Sequence, residues 1–498
     1  MMLPSWYLLV PVLLPVIGGL VVGLCDPVGK KDRPRTWWTG TVLVLSVLSV
    51  IPVLLAPSME LQLFRLSDNL PVFLRTDDTG KFFAAVMAFV WCAAGFYSFG
   101  YLKGEEHLPR YYAFCLMTMG VLMGLCFSGN IITYYMCYEL MTLLTVPLVM
   151  HEMTPDSVAA GIKYLIFSVI GASLVLLGIF QLAPYMSSWS FAPGGILDAE
   201  KVAGHENMVI VIAIIMALGF GTKAGMFPLH GWLPTAHPVA PASASAVLSG
   251  IITKAGVLGI LRSVYFLIGP DLLRGTWMQI TWMSLTLLTV FMGSLLAFRE
   301  NLLKKRLAWS SVSQVSYVLF GLSTMHPIGL VGALLHVAAH ALIKNTLFMS
   351  AGSIIRQTKH TRIEELEGIG KRMPVTMWCF TLVSVGLVGI PPCLGFVSKW
   401  YLAQGALSMS GVPGFFAWLA PAILLISALL TAGYLLTVSI RGFFPGKKEH
   451  APSPVYEKCE APWIMLVPML LLTALSVILG IFPGALIRLF ESIAGLVM

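Results

Sequence analysis

His336, His340 and Lys344 follow one another at i, i+4 and i+8 inside a long apolar run, a spacing that sets all three on one face of a helix. A histidine that titrates near neutral pH, with two further ionisable groups in register, suits stepwise proton transfer. Lys163, Lys223, Lys254 and Lys399 lie in other apolar runs, and Glu139 is the single acid among 23 Asp and Glu to do so. A charged side chain at mid-bilayer costs about 2.5–3.5 kcal/mol even on lenient scales, so such a set is expensive without a role. Burial disfavours a charged lysine and a neighbouring carboxylate favours it; a lysine held between those influences takes up and releases protons near neutral pH. Glu139 is the only acid available as that neighbour, and a Glu139–Lys223 charge pair is expected. The bland alternative is packing. A lysine or arginine near a helix end snorkels to the interface, which fits Lys81, Arg262 and Arg488 and, less well, Lys163.

The elements that must carry these residues follow from composition. The chain has 498 residues, 57% hydrophobic and 11% charged, with a mean hydropathy of +0.86. Soluble chains carry roughly 25% charged residues, and so few charges cannot cover a water-soluble globule of this size. The expected fold class is an all-α polytopic membrane protein. A net charge of +8 raises nucleic acid as a partner, but the basic residues are dispersed through loops, which excludes it. None of the eight cysteines forms a CxxC pair, and there is no nucleotide loop or flavin motif, so no redox centre is expected in this chain. Residues 8–24 lack the basic start and A-x-A site of a cleavable signal and read as a retained first helix.

Taking about 20 apolar residues per crossing, fourteen segments qualify: 4–24, 39–56, 80–99, 111–128, 131–150, 158–183, 208–227, 240–266, 277–298, 308–322, 328–354, 374–407, 415–440 and 462–489. With the N-terminus outside, nineteen loop Lys and Arg fall on the inner side, among them Lys31, Arg33, Lys304, Lys447 and Lys448. Four, Arg65, Arg75, Lys201 and Arg274, fall outside. That asymmetry predicts both termini on the outer side of the inner (cytoplasmic) membrane. Two spans look broken. Gly219–Gly225 and Pro228 to Pro234 interrupt the seventh, beside Lys223; Gly389 to Gly395, with Pro391 and Pro392, interrupts the twelfth before Lys399. Each broken span is the fourth in a set of five, and irregular backbone at depth belongs beside a wet cavity. This predicts two inverted five-helix repeats, residues 101–270 and 271–445, preceded by three helices over 1–100 and followed by an inner loop and last helix over 446–498.

Three runs carry a resemblance. Lys223-Ala-Gly-Met-Phe-Pro-Leu-His-Gly-Trp-Leu-Pro-Thr-Ala-His-Pro continues to Lys254; Lys305-Arg-Leu-Ala-Trp-Ser-Ser-Val-Ser-Gln follows; and His336-x-x-x-His340-x-x-x-Lys344 completes the set. Together they resemble the antiporter-like membrane subunits shared by respiratory complex I, membrane-bound hydrogenases and Mrp-type Na+/H+ antiporters, over roughly residues 80–440. The resemblance implies that Glu139 is the fifth-helix glutamate, Lys163 the sixth-helix lysine, and Lys223 and Lys254 the lysines of the seventh and eighth. It makes His336, His340 and Lys344 the central relay and Lys399 the exit-side residue, where some members carry Glu. The Pro-Leu-His-Gly-Trp-Leu-Pro and Ala-His-Pro-Val-Ala-Pro runs look more like hydrogenase-type members than Mrp members.

Three functions follow as expectations. The first is an ion-translocating subunit of a redox-driven pump, moving H+ (Na+ is the second candidate) beside other antiporter-like subunits and a peripheral arm. Any iron–sulfur clusters, and nickel–iron where the partner is a hydrogenase, would sit in those partners. The second is a subunit of an Mrp-type antiporter without redox chemistry. The third is a structural membrane module whose buried charges lock helices together.

Overall fold

A bilayer core offers no water to backbone N–H and C=O groups, so a chain this apolar must satisfy them within each segment, and helix follows. The computed structural model describes residues 3–68, 70–445 and 457–498; Lys447 and Lys448 of the predicted inner loop lie outside them. In chain order the main elements are α1 (Val10–Leu24), α2 (Asp32–Leu55), strands β1 (Glu60–Ser67) and β2 (Leu70–Arg75), α3 (Asp78–Tyr101), α4 (Leu108–Cys126), α5 (Ile131–Val149), α6 (Pro155–Leu182), α7 (Glu206–Ala224) and α8 (Leu233–Val239). Then come α9 (Ala242–Ile268), which contains two π-helical stretches, α10 (Trp277–Arg299), α11 (Leu303–Ser323), α12 (Pro327–Thr358), α13 (Pro374–Val388), α14 (Leu394–Ser408), α15 (Phe416–Phe443), α16 (Trp463–Ile481) and α17 (Gly484–Val497).

Among the described residues, 12 helices are long and apolar enough to cross a membrane. Helix also occupies the two other predicted segments. α11 opens on Lys304, Lys305 and Arg306 and is studded with serine, which lowers its hydropathy. The twelfth segment is divided into the short halves α13 and α14. Both predicted breaks are real, and glycine makes each possible. Gly225 ends α7 at φ +77 and Gly389 ends α13 at φ +96, conformations open to glycine at no steric cost. The Phe227–Pro228 and Pro391–Pro392 peptides, one in each break, are cis.

The packing order places the ionisable helices inside. α4 packs on α5, α5 on α6, and α6 on α7; further along, α10 packs on α11, α11 on α12, and α12 on α14. α9 is buried throughout, and α12 is buried from Gly329 to Ile354. Their surroundings differ sharply from α2, α6 and α15, which present Leu55, Phe180 and Leu429 outward at 80%, 67% and 66% exposure. A helix apolar all round sits in a core or faces lipid, and here the first kind is ringed by the second.

Three features differ from the sequence expectations. The 462–489 segment is two helices, because Pro483 interrupts the chain after Phe482; α17 folds back on α12 and α3, with Phe490 edge-on to Phe82 at 4.7 Å. The second loop holds an antiparallel hairpin, Glu60 opposite Arg75 and Ser67 opposite Leu70, with two irregularities in register. Arg262 does not snorkel. It is 1% exposed and forms a two-pronged ion pair with Asp77, at 2.7 Å through Nη2. Asp77 also caps α3 by accepting from Gly80 N–H at 2.7 Å.

Candidate ion pathway

Lys223 sits in the last turn of α7, where the terminal carbonyls favour a cation. It is 1% exposed. Its ammonium has three N–H donors, and three hydroxyls receive them: Thr142 Oγ1 at 2.8 Å from α5, and Tyr164 OH at 3.0 Å and Ser168 Oγ at 2.9 Å from α6. The Tyr164 ring lies under the charge, its centroid 4.5 Å away, and the Tyr164 hydroxyl reaches Thr145 Oγ1 at 2.7 Å. The break behind Lys223 is held by Trp232, whose indole N–H donates to Thr222 O at 2.8 Å. The expected Glu139 partnership is looser than a salt bridge. Glu139 is half-buried on α5, and no ion pair within 4.0 Å joins it to Lys223 among the described residues, although the two charges act on one another. Hydroxyls hold the ammonium where a carboxylate was expected, because Thr142 and Ser168 project from the neighbouring helices at the right depth.

Lys254 lies on α9 just after the π-helical stretch Leu248–Ile252. Such stretches interrupt a regular helix and recur at functional sites. The Lys254 Nζ contacts His340 Nδ1 of α12 directly and also donates to Ser249 O at 3.1 Å. Four residues up the same helix, the His336 ring centroid is 6.2 Å from that of His340. His336 Nδ1 is 2.9 Å from Ser398 Oγ, and its ring stacks on Tyr317 at 5.4 Å. The same Tyr317 ring lies 4.8 Å from Lys399 Nζ, so one aromatic ring contacts both the histidine and the next lysine. Lys399 in turn donates to Leu387 O at 2.6 Å and Val388 O at 3.1 Å. It thereby satisfies carbonyls left open where α13 stops. The Lys399 stem passes so close to Gly389 that a Cβ there would stand 2.9 Å from its Cδ.

Lys344, the third residue of the relay face, donates to Ser310 Oγ at 2.6 Å and Leu307 O at 3.2 Å; Ser310 continues to Tyr434 OH at 2.7 Å. Lys163 is half-buried and donates to Thr235 Oγ1 at 2.9 Å, tying α6 to α8. The structure thus draws Lys254, His340, His336 and Lys399 into one line of contacts. Lys344 stands beside that line, and Glu139 and Lys223 form a separate group on α5 and α7. Pro228 and Pro234 lie between and within the halves of the seventh span, and Pro391 and Pro392 between those of the twelfth.

The side chains that sequence alone did not single out are mostly hydroxyls. Thr142, Tyr164 and Ser168 surround Lys223, Ser398 and Tyr317 serve His336, and Ser249 pairs with Ser311 at 2.6 Å. Serine and tyrosine are common enough in membrane helices that spacing marks none of them; the density of serine in 308–322 was the one visible signal. His237 is also buried, stacked on Phe348 at 4.9 Å, with neither ring nitrogen bonded among the described residues.

Residues 128–431 match the family model described as NADH:quinone oxidoreductase/Mrp antiporter, TM. The chain is 34% identical over 413 residues to NADH-quinone oxidoreductase subunit N of Desulforudis audaxviator, covering 80% of this chain and 79% of that protein. It is 31% identical over 430 residues to hydrogenase-4 component B of Escherichia coli, covering 82% of this chain and 62% of that protein. In fold it superposes on a chain of the Mrp complex from Dietzia sp. with a TM-score of 0.84 at 20% identity, covering 100% of this chain and 98% of that one. The matched region runs from α5 to α15 and contains every residue of the line just described. The protein is a polytopic membrane protein, and it belongs to the NADH:quinone oxidoreductase/Mrp antiporter membrane family.

Proposed function

We propose that this chain is the ion-translocating, antiporter-like subunit of a redox-driven membrane pump, and that H+ passes along Lys254, His340, His336 and Lys399. The contact between Lys254 Nζ and His340 Nδ1 carries the proposal. An ammonium facing an imidazole nitrogen at bonding distance needs no rearrangement of heavy atoms to hand over its proton. Once Nδ1 has gained a proton, the ring releases one from Nε2, toward His336. His336 passes it to the Ser398 and Lys399 end of the line. Glu139 and Lys223 act upstream. A carboxylate approaching Lys223 favours its charged form and loads it, and a departing one unloads it; Thr142, Tyr164 and Ser168 hold the ammonium meanwhile. Lys344 and Lys163 supply side routes to Ser310 and Thr235.

The chain crosses the inner membrane fourteen times with both termini outside, and its residues 101–270 and 271–445 are inverted repeats of one another. The succession of neighbours from α4 to α7, repeated from α10 to α14, supports the repeats, and the nineteen to four split of loop lysines and arginines supports the topology. A cysteine at Lys31 or Glu364 would then react with an impermeant thiol reagent from the inner side alone; labelling from outside contradicts the topology. Redox groups, iron–sulfur clusters and in a hydrogenase nickel–iron, belong to partner subunits, and other antiporter-like subunits adjoin this one. An Mrp-type assembly without redox chemistry is the second reading, since the family model matched over residues 128–431 is shared with Mrp antiporters. Purifying the native assembly separates them. The first reading expects an oxidoreductase arm to co-purify and the isolated chain in vesicles to show little ion exchange. Robust Na+/H+ exchange by an assembly without such an arm supports the second and contradicts the first.

A further inference from the structure

At the end of the molecule where the loop lysines and arginines gather, four basic side chains and one carboxylate surround a cavity of about 560 Å³: Arg33, Arg35, Lys103 and Arg356 against Asp32. Arg35 is 4% exposed. It donates through Nη1 to Gly29 O at 2.9 Å and through Nη2 to Asp32, and its buried Nε has no partner among the described residues. Arg356 is fixed by the backbone oxygens of Tyr101 and Lys103. Arg33 and Lys103 are exposed, and no hydrogen bond or ion pair within the described residues occupies their charged ends. The cavity therefore keeps an excess of positive charge and an unspent donor.

A second cavity of about 600 Å³ adjoins it, almost wholly apolar, between α2, α3 and α16, with Leu48, Phe89, Ala93, Phe96 and Val467 in its wall. Ile464 lines both cavities, and the rings of Phe96 and Phe99, edge-on at 5.5 Å, join one to the other. Arg33 at the basic end and Leu48 at the apolar end lie on α2 about 22 Å apart at helical rise, which carries the groove from the interface toward mid-bilayer. Trp37 and Trp463 stand at the mouth, 76% and 71% exposed, where tryptophan anchors at a membrane–water interface.

A ligand for this site needs an anionic head for the basic end and a long apolar chain for the groove. We propose that it binds an anionic phospholipid, its phosphate between Arg33, Arg35 and Lys103 and one acyl chain along α16. Basic pockets between helices attract anionic headgroups by the same electrostatics that draw polybasic segments to membranes. The proposal stands whether or not the chain pumps ions.

Native mass spectrometry of the full-length chain in detergent, titrated with phosphatidylglycerol or phosphatidylcholine of equal chain length, tests it. Phosphatidylglycerol should be retained preferentially, and the double change Arg33→Gln with Lys103→Gln should weaken it by about thirtyfold while leaving phosphatidylcholine unchanged. Among the described residues, the charged ends of those two side chains make no hydrogen bond or ion pair. Ala93→Phe, which narrows the groove, should weaken phosphatidylglycerol too, and a tenfold excess of glycerol phosphate should displace little of it. Equal retention of both lipids, wild-type affinity in the double variant, or full displacement by glycerol phosphate would overturn the proposal. In the native assembly, phosphatidylglycerol with a photoreactive chain should crosslink to Trp463–Leu471; shielding of that groove by a neighbouring subunit, so that no lipid crosslink forms, would also overturn it.

Discussion

Lys254 Nζ and His340 Nδ1 meet between two helices, α9 and α12, that are buried where the residues lie. Two nitrogens in contact hold one proton between them. A charged ammonium can only donate, so while Lys254 is charged Nδ1 must be the unprotonated, accepting nitrogen; a neutral amine can either donate to Nδ1 or accept from an Nδ1–H. The charge on the lysine therefore decides whether the imidazole tautomer is fixed. The His340 Nε2 and His336 Nε2 atoms are buried without protein hydrogen-bond partners among the described residues, so neither is committed to another side chain when a proton moves along α12. The lysine on α9 thereby sets what the histidines of α12 can pass on.

Glu139→Gln and Lys223→Ala should each lower ion pumping by the assembled complex about a hundredfold, the scale of one proton-transfer group. The double variant should be no worse than the worse single one, because both act on one loading step. Lys223→Ala should additionally lower stability by about 1–3 kcal/mol, since Thr142, Tyr164 and Ser168 lose their shared donor. Pumping rates in vesicles and a thermal unfolding series check these separately. Wild-type pumping in both single variants would make the charges structural.

Tyr317 is predicted to matter through its ring rather than its hydroxyl. Tyr317→Phe removes the donor to Leu424 O, at 2.8 Å, yet keeps the ring shared by His336 and Lys399, so pumping should stay within about twofold of wild type. Tyr317→Leu removes that ring and should cost roughly tenfold or more, the scale of a desolvated cation–ring contact. Equal effects of the two changes would contradict the shared-ring arrangement.

Asp77 gives a pH dependence outside the spans. Burial alone would raise its pKa, but the Arg262 charge and hydrogen bond, the Gly80 N–H and Arg75 outweigh it and hold the carboxyl below its usual value. A carboxyl held low stabilises the fold above its unfolded pKa, near 4, and that contribution is lost as pH falls through the lower folded value. Wild type should therefore lose stability against Asp77→Asn as pH drops below about 4, and at pH 7 the variant should be about 1–3 kcal/mol less stable. Melting temperatures that differ by the same amount at every pH would contradict this.

Much of this architecture could be read from residue types. The apolar runs placed most helix ends to within about five residues, since about 20 residues per crossing leaves little latitude; α2 begins at Asp32, seven positions before the predicted 39, because its first turns are polar and basic. The glycine–proline runs located both breaks, because Gly225 and Gly389 occupy backbone regions that other residues avoid. His336 and His340 were legible as a pair for the reason that 3.6 residues per turn aligns i and i+4. Partner choice was not legible. Lys223 was expected against Glu139, and three hydroxyls took its donors, because which side chain meets an ammonium depends on the relative depth and rotation of three helices. Arg262 was expected at the surface, and its partner Asp77 lies 185 positions away in sequence. The α16–α17 turn at Pro483 was hidden by apolar residues on both sides of it.

Lys254→Met tests the central relay most directly, because it keeps the length and apolar body of the side chain and removes only the ammonium facing His340. In the purified native assembly, reconstituted in vesicles, proton uptake should fall about a hundredfold while subunit composition stays that of wild type. Proton pumping at the wild-type rate in that intact assembly would show that the Lys254–His340 contact carries no ions.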